Sequence, residues 1–216
     1  MNAFVSWSGG KDCMLALYRF LKNTDNKVFC LVNMCDADSE SSRSHGLPKK
    51  LIASQAKKLN IPLIQKSVSD EVGYEAAFKQ VISDIKKQGV TVGVFGDIYL
   101  MEHRTWIERV CSEMDIEPVF PLWNDDTRIL LQEFIDADFK SLTVSVHCDK
   151  LSEEWLGKEL NQNFANEIFS LPDIDPCAEN GEYHSFVYNG PIFSSPVSFE
   201  KGTVSQRDNH FFLSIK

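Results

Sequence analysis

Five consecutive residues near the start of the chain, Ser8-Gly9-Gly10-Lys11-Asp12, combine two positions without side-chain bulk with a hydroxyl, an ammonium and a carboxylate. At a strand-to-helix turn, glycines let the backbone approach an anion and aim its N–H groups at it. The helix that follows turns the positive end of its dipole to the same spot, an effect of roughly 0.3 to 1 kcal/mol per exposed charge. Ser8 adds a hydroxyl donor and Lys11 a full positive charge. Asp12 would repel a bare phosphate, so it either caps the helix amides or faces a magnesium ion that bridges phosphates. The run matches neither Gly-x-x-x-x-Gly-Lys-Ser/Thr nor Gly-x-Gly-x-x-Gly. Alone it could be a plain strand-to-helix connection; on the first strand of an alternating α/β chain, with Lys and Asp beside it, it reads as a phosphate loop.

Other residues could join it. His45 follows the second predicted strand, where it would reach a phosphate or ribose oxygen or else merely precede a helix starting at Leu47-Pro48. Gly96-Asp97 ends the fourth predicted strand, so Asp97 could hold magnesium or orient an attacking amine, or act as a plain N-cap. Glu102 and Arg104 open the next helix; Arg104 could neutralise a leaving pyrophosphate or a substrate carboxylate, or the two could be a solvated pair. Trp106 is in register with Ile107, Val110 and Met114 and reads as core. In Glu179-Asn180-Gly181-Glu182, a type I′ hairpin accounts for Asn-Gly but not for two acids and His184 beside it, a set that could bind a cationic group or ammonium.

The elements that must position these residues alternate. A strand over 2–7 runs into the glycine turn, and Met14, Leu17, Tyr18 and Leu21 then share a helical face. Strands at 27–34, 61–68, 90–95 and 117–120 are separated by helices marked by Leu51, Ile52, Ala56 and Leu59, by Tyr74, Phe78, Val81, Ile82 and Ile85, and by Trp106 to Met114. This order predicts a parallel, doubly wound sheet with right-handed crossovers and a ligand at the strands' carboxyl ends. After a helix at 127–137 the texture changes to strands at 142–146, 183–188 and 196–216, with a helical piece at 156–169. The division is therefore an α/β domain over 1–137 and a smaller α+β lobe over 138–216.

With 216 residues, 43% of them hydrophobic, the chain can bury a substantial core unaided. Its net charge of −9 argues against a surface built for nucleic acid. The six cysteines contain no Cys-x-x-Cys pair, and no signal segment or membrane span is visible, so a cytoplasmic protein with reduced thiols is expected.

The Ser8 to Asp12 run resembles the SGGxD signature of the PP-loop, or N-type, ATP pyrophosphatases. His45-Gly46-Leu47-Pro48, Gly96-Asp97-Ile98, Glu102-His103-Arg104, Pro121-Leu122-Trp123, Trp155-Leu156-Gly157 and Glu179 to His184 follow in the order and spacing of the diphthine-ammonia ligase family, so the likeness spans essentially the whole chain. The resemblance implies a Rossmann-like fold of the adenine nucleotide alpha hydrolase type that uses ATP and Mg2+. A carboxylate would be adenylated and then aminated by ammonia, releasing AMP and pyrophosphate. That carboxylate is diphthine on elongation factor 2 in an archaeal or eukaryotic source and another acid in a bacterial one.

The nucleotide would be held by Ser6, Ser8, Gly9, Gly10, Lys11, Asp12, Asn33, His45 and Gly96, with Lys11, Asp12, Asp97 and Arg104 catalytic and Asp12 and Asp97 on the metal. Glu102, Glu179, Gly181, Glu182 and His184 would contact the substrate; the last four belong to the segment that matches the family's substrate motif. Cys13 stands where the family loop often has serine. A homodimer could form; no nucleic acid or membrane partner is expected. A PP-loop sulfur-transfer enzyme acting on RNA is the rival, but neither the spacing of Cys30 and Cys35 nor the adjacent His147-Cys148 matches a zinc site, and buried free cysteine is the better reading. A nucleotide-binding regulatory module without turnover is the other alternative.

Overall fold

A computed structural model describes residues 1–36, 46–68 and 73–216. Its first lobe alternates strand and helix: β1 (Asn2–Ser6), α1 (Lys11–Leu21), β2 (Lys27–Asp36), α2 (Lys49–Leu59), β3 (Leu63–Val68), α3 (Tyr74–Lys86), β4 (Val92–Val94), α4 (Met101–Glu113) and β5 (Glu117–Val119). The strands pair in parallel in the order β3-β2-β1-β4-β5. Strand residues alternate between faces. Thus Ala3 and Val5 join the hydrophobic cluster containing Met14, Leu17 and Ile52 of α1 and α2, while Phe4 joins the one containing Phe78, Ile82 and Val110 of α3 and α4. Phe4 is fully buried, edge-on to Phe78 at 6.0 Å and to Phe95 at 5.8 Å, and its burial contributes about 1.5 to 3 kcal/mol.

The second lobe contains α5 (Thr127–Asp136), β6 (Lys140–His147), a 3-10 turn (Glu153–Trp155), α6 (Gln162–Phe169), β7 (Tyr183–Asn189), β8 (Lys201–Arg207) and β9 (His210–Ile215). Its sheet is antiparallel, in the order β7-β6-β9-β8. The chain thus has the expected α/β sheet followed by a smaller α+β lobe. One cluster runs from α1 and α2 into β6, α6 and β7, so the lobes share a core. Among the described residues no helix is long and apolar enough to cross a membrane.

Three local expectations fail. The helix expected over 156–169 begins at Gln162, because Gly157 has φ +71 and the stretch after it bonds along β6, with Gly157 N to Thr143 O at 2.9 Å and Leu160 N to Ser141 O at 3.0 Å. Residues 196–216 are two strands, not one, because Asp208 and Asn209 have φ of 47 and 61, as a two-residue type I′ hairpin requires. Asn180-Gly181, by contrast, makes no hairpin: β7 pairs with β6, and the turn is held by bonds from Ala178 N to Asp175 O at 2.8 Å and from Gly181 N to Ala178 O at 3.0 Å.

Candidate active site

From β1 the chain winds outward to β2 and β3, then returns across the sheet to β4 on β1's other side. The loops leaving β1 and β4 therefore diverge and open a crevice at the strands' carboxyl ends. Gly9 turns at φ +86, where a Cβ would stand 2.5 Å from Ile52 Cδ1. Gly96, after β4, lies so close to α1 that a Cβ would stand 2.9 Å from both the carbonyl carbon of Asp12 and the amide nitrogen of Cys13. The crevice encloses about 400 Å³ and is lined by Ser6, Ser8, Asp12 and Asn33, by Gly96 and Asp97, and by Glu179, Gly181 and His184 of the second lobe. That volume lies within the usual range for small-molecule sites.

The hydrogen-bond ladder of a helix uses none of its first amides. At α1, Gly10 N donates to Ser8 Oγ at 3.3 Å and Lys11 N to Ser185 Oγ of β7 at 3.1 Å. Asp12 and Cys13, the next two residues of α1, line the crevice. Gly10 is the N-cap and there is no side-chain cap, so Asp12 does not cap the helix. Replacing Ser185 with alanine should leave the Lys11 amide without its buried acceptor and cost about 1 to 3 kcal/mol; a urea midpoint equal to that of the parent would show the bond to be dispensable.

The crevice is acidic, and none of its described lining residues is lysine or arginine. Burial pushes the Asp12 carboxyl up from 3.8 to about 6, against the pull of the Lys11 ammonium 3.0 Å away. Asp97 is also raised, by burial and by repulsion from Asp12, with His103 Nδ1 at 3.4 Å opposing. Burial raises Glu179 too, although it accepts from Ile98 N at 2.8 Å. A triphosphate could enter this field only with its charge neutralised by a cation. Among the described residues no three His, Cys, Asp or Glu side chains form a metal site by themselves. Magnesium, however, commonly takes one or two carboxylates and completes its shell with water and phosphate oxygens, and Asp12 and Asp97, both lining the crevice, are the residues that would hold it.

The raised Asp12 also has a pH signature. Between about pH 4 and about pH 6 the folded chain holds a proton that the unfolded chain has released, so this carboxyl's contribution to stability declines as pH rises through that window. Unfolding free energies of the parent minus those of Asp12→Asn should therefore fall by on the order of 1 to 3 kcal/mol from pH 4 to pH 7. Taking the difference removes the opposite trend of depressed carboxyls such as Glu75 and Glu133. A flat difference would mean that Asp12 ionises normally.

Not every expected residue reaches the crevice. Lys11 is buried with its ammonium turned inward, bonded to the Cys177 carbonyl and to Asp12 and lying 4.9 Å over the Tyr183 ring. Burial alone would lower its pKa, but Asp12 holds it well above the usual value. It staples the loop to the second lobe, and it is not among the residues that line the crevice. Arg104 is also absent: its guanidinium stacks 4.5 Å over Trp123 and 4.9 Å over Phe120 while Nε donates to Glu108 at 2.6 Å. Glu102 lines a neighbouring cavity instead.

Glu182 is buried and serves the loop, accepting from Asp175 N at 3.2 Å. Asp97 caps nothing, since the N-cap of α4 is Leu100. Asn33 is brought in, pinned by donating from Nδ2 to the Trp7 carbonyl at 2.8 Å. His45 lies outside the described residues.

Two positioning residues escaped the sequence reading. Gln55 of α2 is fully buried and accepts from Trp7 Nε1 at 2.7 Å. Its Nε2 donates to Gly9 O at 3.0 Å and to Val187 O at 2.6 Å, clamping the glycine loop between α2 and β7. Its sequence signal was a polar residue in register with Leu51, Ile52, Ala56 and Leu59. Ser185 gave no such signal. All six cysteines are free; Cys30 and Cys35 are buried, with the thiol of Cys30 pushed up to about 12 by burial, a poor state for a sulfur carrier.

Fold and crevice together define a Rossmann-like nucleotide-binding domain closed at its switch point by an antiparallel lobe. The chain belongs to the diphthamide synthase family: the N-terminal domain of that family matches residues 1–118 and the C-terminal domain residues 126–216. It is similar to the diphthine–ammonia ligase of Bos taurus, with 28% identity over 159 residues, 71% of this chain and 58% of that protein. The Danio rerio protein of the same name is 24% identical over 230 residues, 94% of this chain and 89% of that protein. The Schizosaccharomyces pombe one is 22% identical over 214 residues, 88% of this chain and 34% of that protein. A solved structure titled as a predicted subunit of tRNA methyltransferase from Methanocaldococcus jannaschii covers 88% of this chain and 98% of its own at 14% identity and a TM-score of 0.47, too distant to bear on function.

Proposed function

We propose that this chain is an ATP-dependent amide ligase of the diphthine–ammonia ligase type, acting in the cytoplasm on a diphthine-bearing protein, with residues 1–137 binding ATP and 138–216 contacting the acid. The observation that carries this reading is the crevice itself: the start of α1, closely approached by Gly96 and lined by Asp12 with Asp97 opposite, at the switch point of a parallel sheet. Membership of the diphthamide synthase family supports the reading over sulfur transfer to RNA.

A carboxylate does not exchange oxide for ammonia, so one oxygen must first become part of a stable leaving group. In the proposed sequence a carboxylate oxygen bonds to the α-phosphorus of ATP as the bond to the β-phosphoryl oxygen breaks, and pyrophosphate leaves. Ammonia nitrogen then bonds to the acyl carbon, AMP departs with the carboxylate oxygen, and the nitrogen loses a proton to give the amide. Mg2+ held by Asp12 and Asp97 would neutralise phosphate charge when bound. The chain's own contribution is positioning: the first-turn amides and Ser8 receive phosphate oxygens, Ser6 and Asn33 meet the nucleoside side of the cleft, and Glu179, Gly181 and His184 face the acceptor. Incubation with ATP, ammonium and the diphthine-bearing protein should yield AMP and pyrophosphate in equal amounts, dependent on both co-substrates. ADP as product, or release indifferent to ammonium, would reject the assignment.

A further inference from the structure

β7 forms one edge of the second-lobe sheet. Backbone groups on the outer side of an edge strand need partners, and those of Val187 find them in the first lobe. Its N–H donates to Gly9 O at 3.1 Å, and its carbonyl accepts from Gln55 Nε2 at 2.6 Å. The second hydrogen of that amide goes to the same Gly9 O at 3.0 Å, while Gln55 Oε1 accepts from Trp7 Nε1 at 2.7 Å. Two carbonyls and one indole N–H fix which end of the amide is nitrogen. Two residues back along β7, Ser185 Oγ accepts from Lys11 N at 3.1 Å and continues the seam. Trp7 and Ser8 line the crevice on the β1 side of this seam, and Gly181 and His184 line it on the β7 side. Gln55, fully buried in α2, is bonded to both sides at once.

Resting on the ligase reading, we propose that Gln55 is a positioning residue for adenyl transfer: it holds the glycine loop, which takes the nucleotide, in register with β7, which carries the acid. Each substrate touches one side of the seam, so each binds alone almost as well without Gln55. The transfer step needs both sides together, because a carboxylate oxygen must meet the α-phosphorus in line with the departing pyrophosphate. A misplacement of about 1 Å costs such a step about 100-fold. The glycine loop does not depend on Gln55 for its own shape. Gly9 O keeps its bond from Val187 N, and the Lys11 amide keeps Ser185. Loss of the Gln55 amide instead frees the Val187 carbonyl and the Trp7 indole, one on each side of the crevice.

Gln55→Met, similar in length but without a donor, tests this in the full chain. In single turnover with saturating ATP, ammonium and the diphthine-bearing protein, AMP formation should slow about 30- to 100-fold. The ATP dissociation constant by calorimetry and the half-saturating concentration of the protein substrate should each change less than about threefold. Gln55→Glu, which when protonated still accepts from Trp7 and donates one bond, should lose less rate. Should Gln55→Met not fold, Gln55→Glu decides the matter by the same comparison with the parent. AMP formation at the parental rate, or a loss confined to ATP affinity, overturns the positioning role and leaves the ligase reading intact. No AMP from the parent under these conditions rejects the ligase reading, and the role of Gln55 in transfer with it.

Discussion

Gly96→Ala is expected to weaken ATP binding by at least about 100-fold, close to 3 kcal/mol, without unfolding the chain. The added methyl would meet the Asp12 carbonyl carbon and the Cys13 amide nitrogen at 2.9 Å and the Asp12 carbonyl oxygen at 3.1 Å, all backbone atoms. No flexible side chain can swing aside, so either α1 retreats from the crevice or the methyl covers the amides that would receive phosphate. Gly96 does not have a left-handed backbone, so the effect comes from space alone. Gly9→Ala would be a less clean test, because φ +86 and the approach to Ile52 add strain to the fold itself. Calorimetry with ATP and magnesium decides the matter: parental affinity in Gly96→Ala would place the phosphates elsewhere.

Asp12→Asn should reduce turnover about 100- to 1,000-fold, the range seen when one group aimed at developing charge is removed. The substitution keeps the shape and removes the charge that, with Asp97, would hold a cation against the phosphates. It also takes from Lys11 the carboxylate 3.0 Å from its ammonium, so a modest loss of stability should accompany the loss of rate. Single-turnover AMP formation at saturating ATP separates the two effects. A variant that is folded, binds ATP and turns over at the parental rate would exclude Asp12 from the chemistry.

What could be read from sequence was local. The glycine pair between a strand and a helix located the crevice because a backbone turn is encoded within a few residues, although only Gly9 of the pair has a left-handed backbone. Gly96 and Asp97 were found because alternating elements fix where strand ends fall. Side-chain direction was the weak point. Lys11 looks like a phosphate ligand until Cys177 and Tyr183 arrive from the second lobe and give its ammonium a buried partner and a ring. Arg104 looks catalytic until Phe120 and Trp123 supply a stacking surface. Glu179 and Glu182 look equivalent in sequence, yet one lines the crevice and bonds the β4–α4 loop while the other ties down its own turn. Ser185 shows the same limit, since its value lies in one bond to an amide 174 positions away.

The proposed adenylation step would leave an isotopic record. With ATP, ammonium and an acid substrate whose carboxylate carries oxygen-18, one labelled oxygen should appear in the phosphate of AMP and none in pyrophosphate. Label in inorganic phosphate, or AMP free of label while amide forms, would contradict activation at the α-phosphorus.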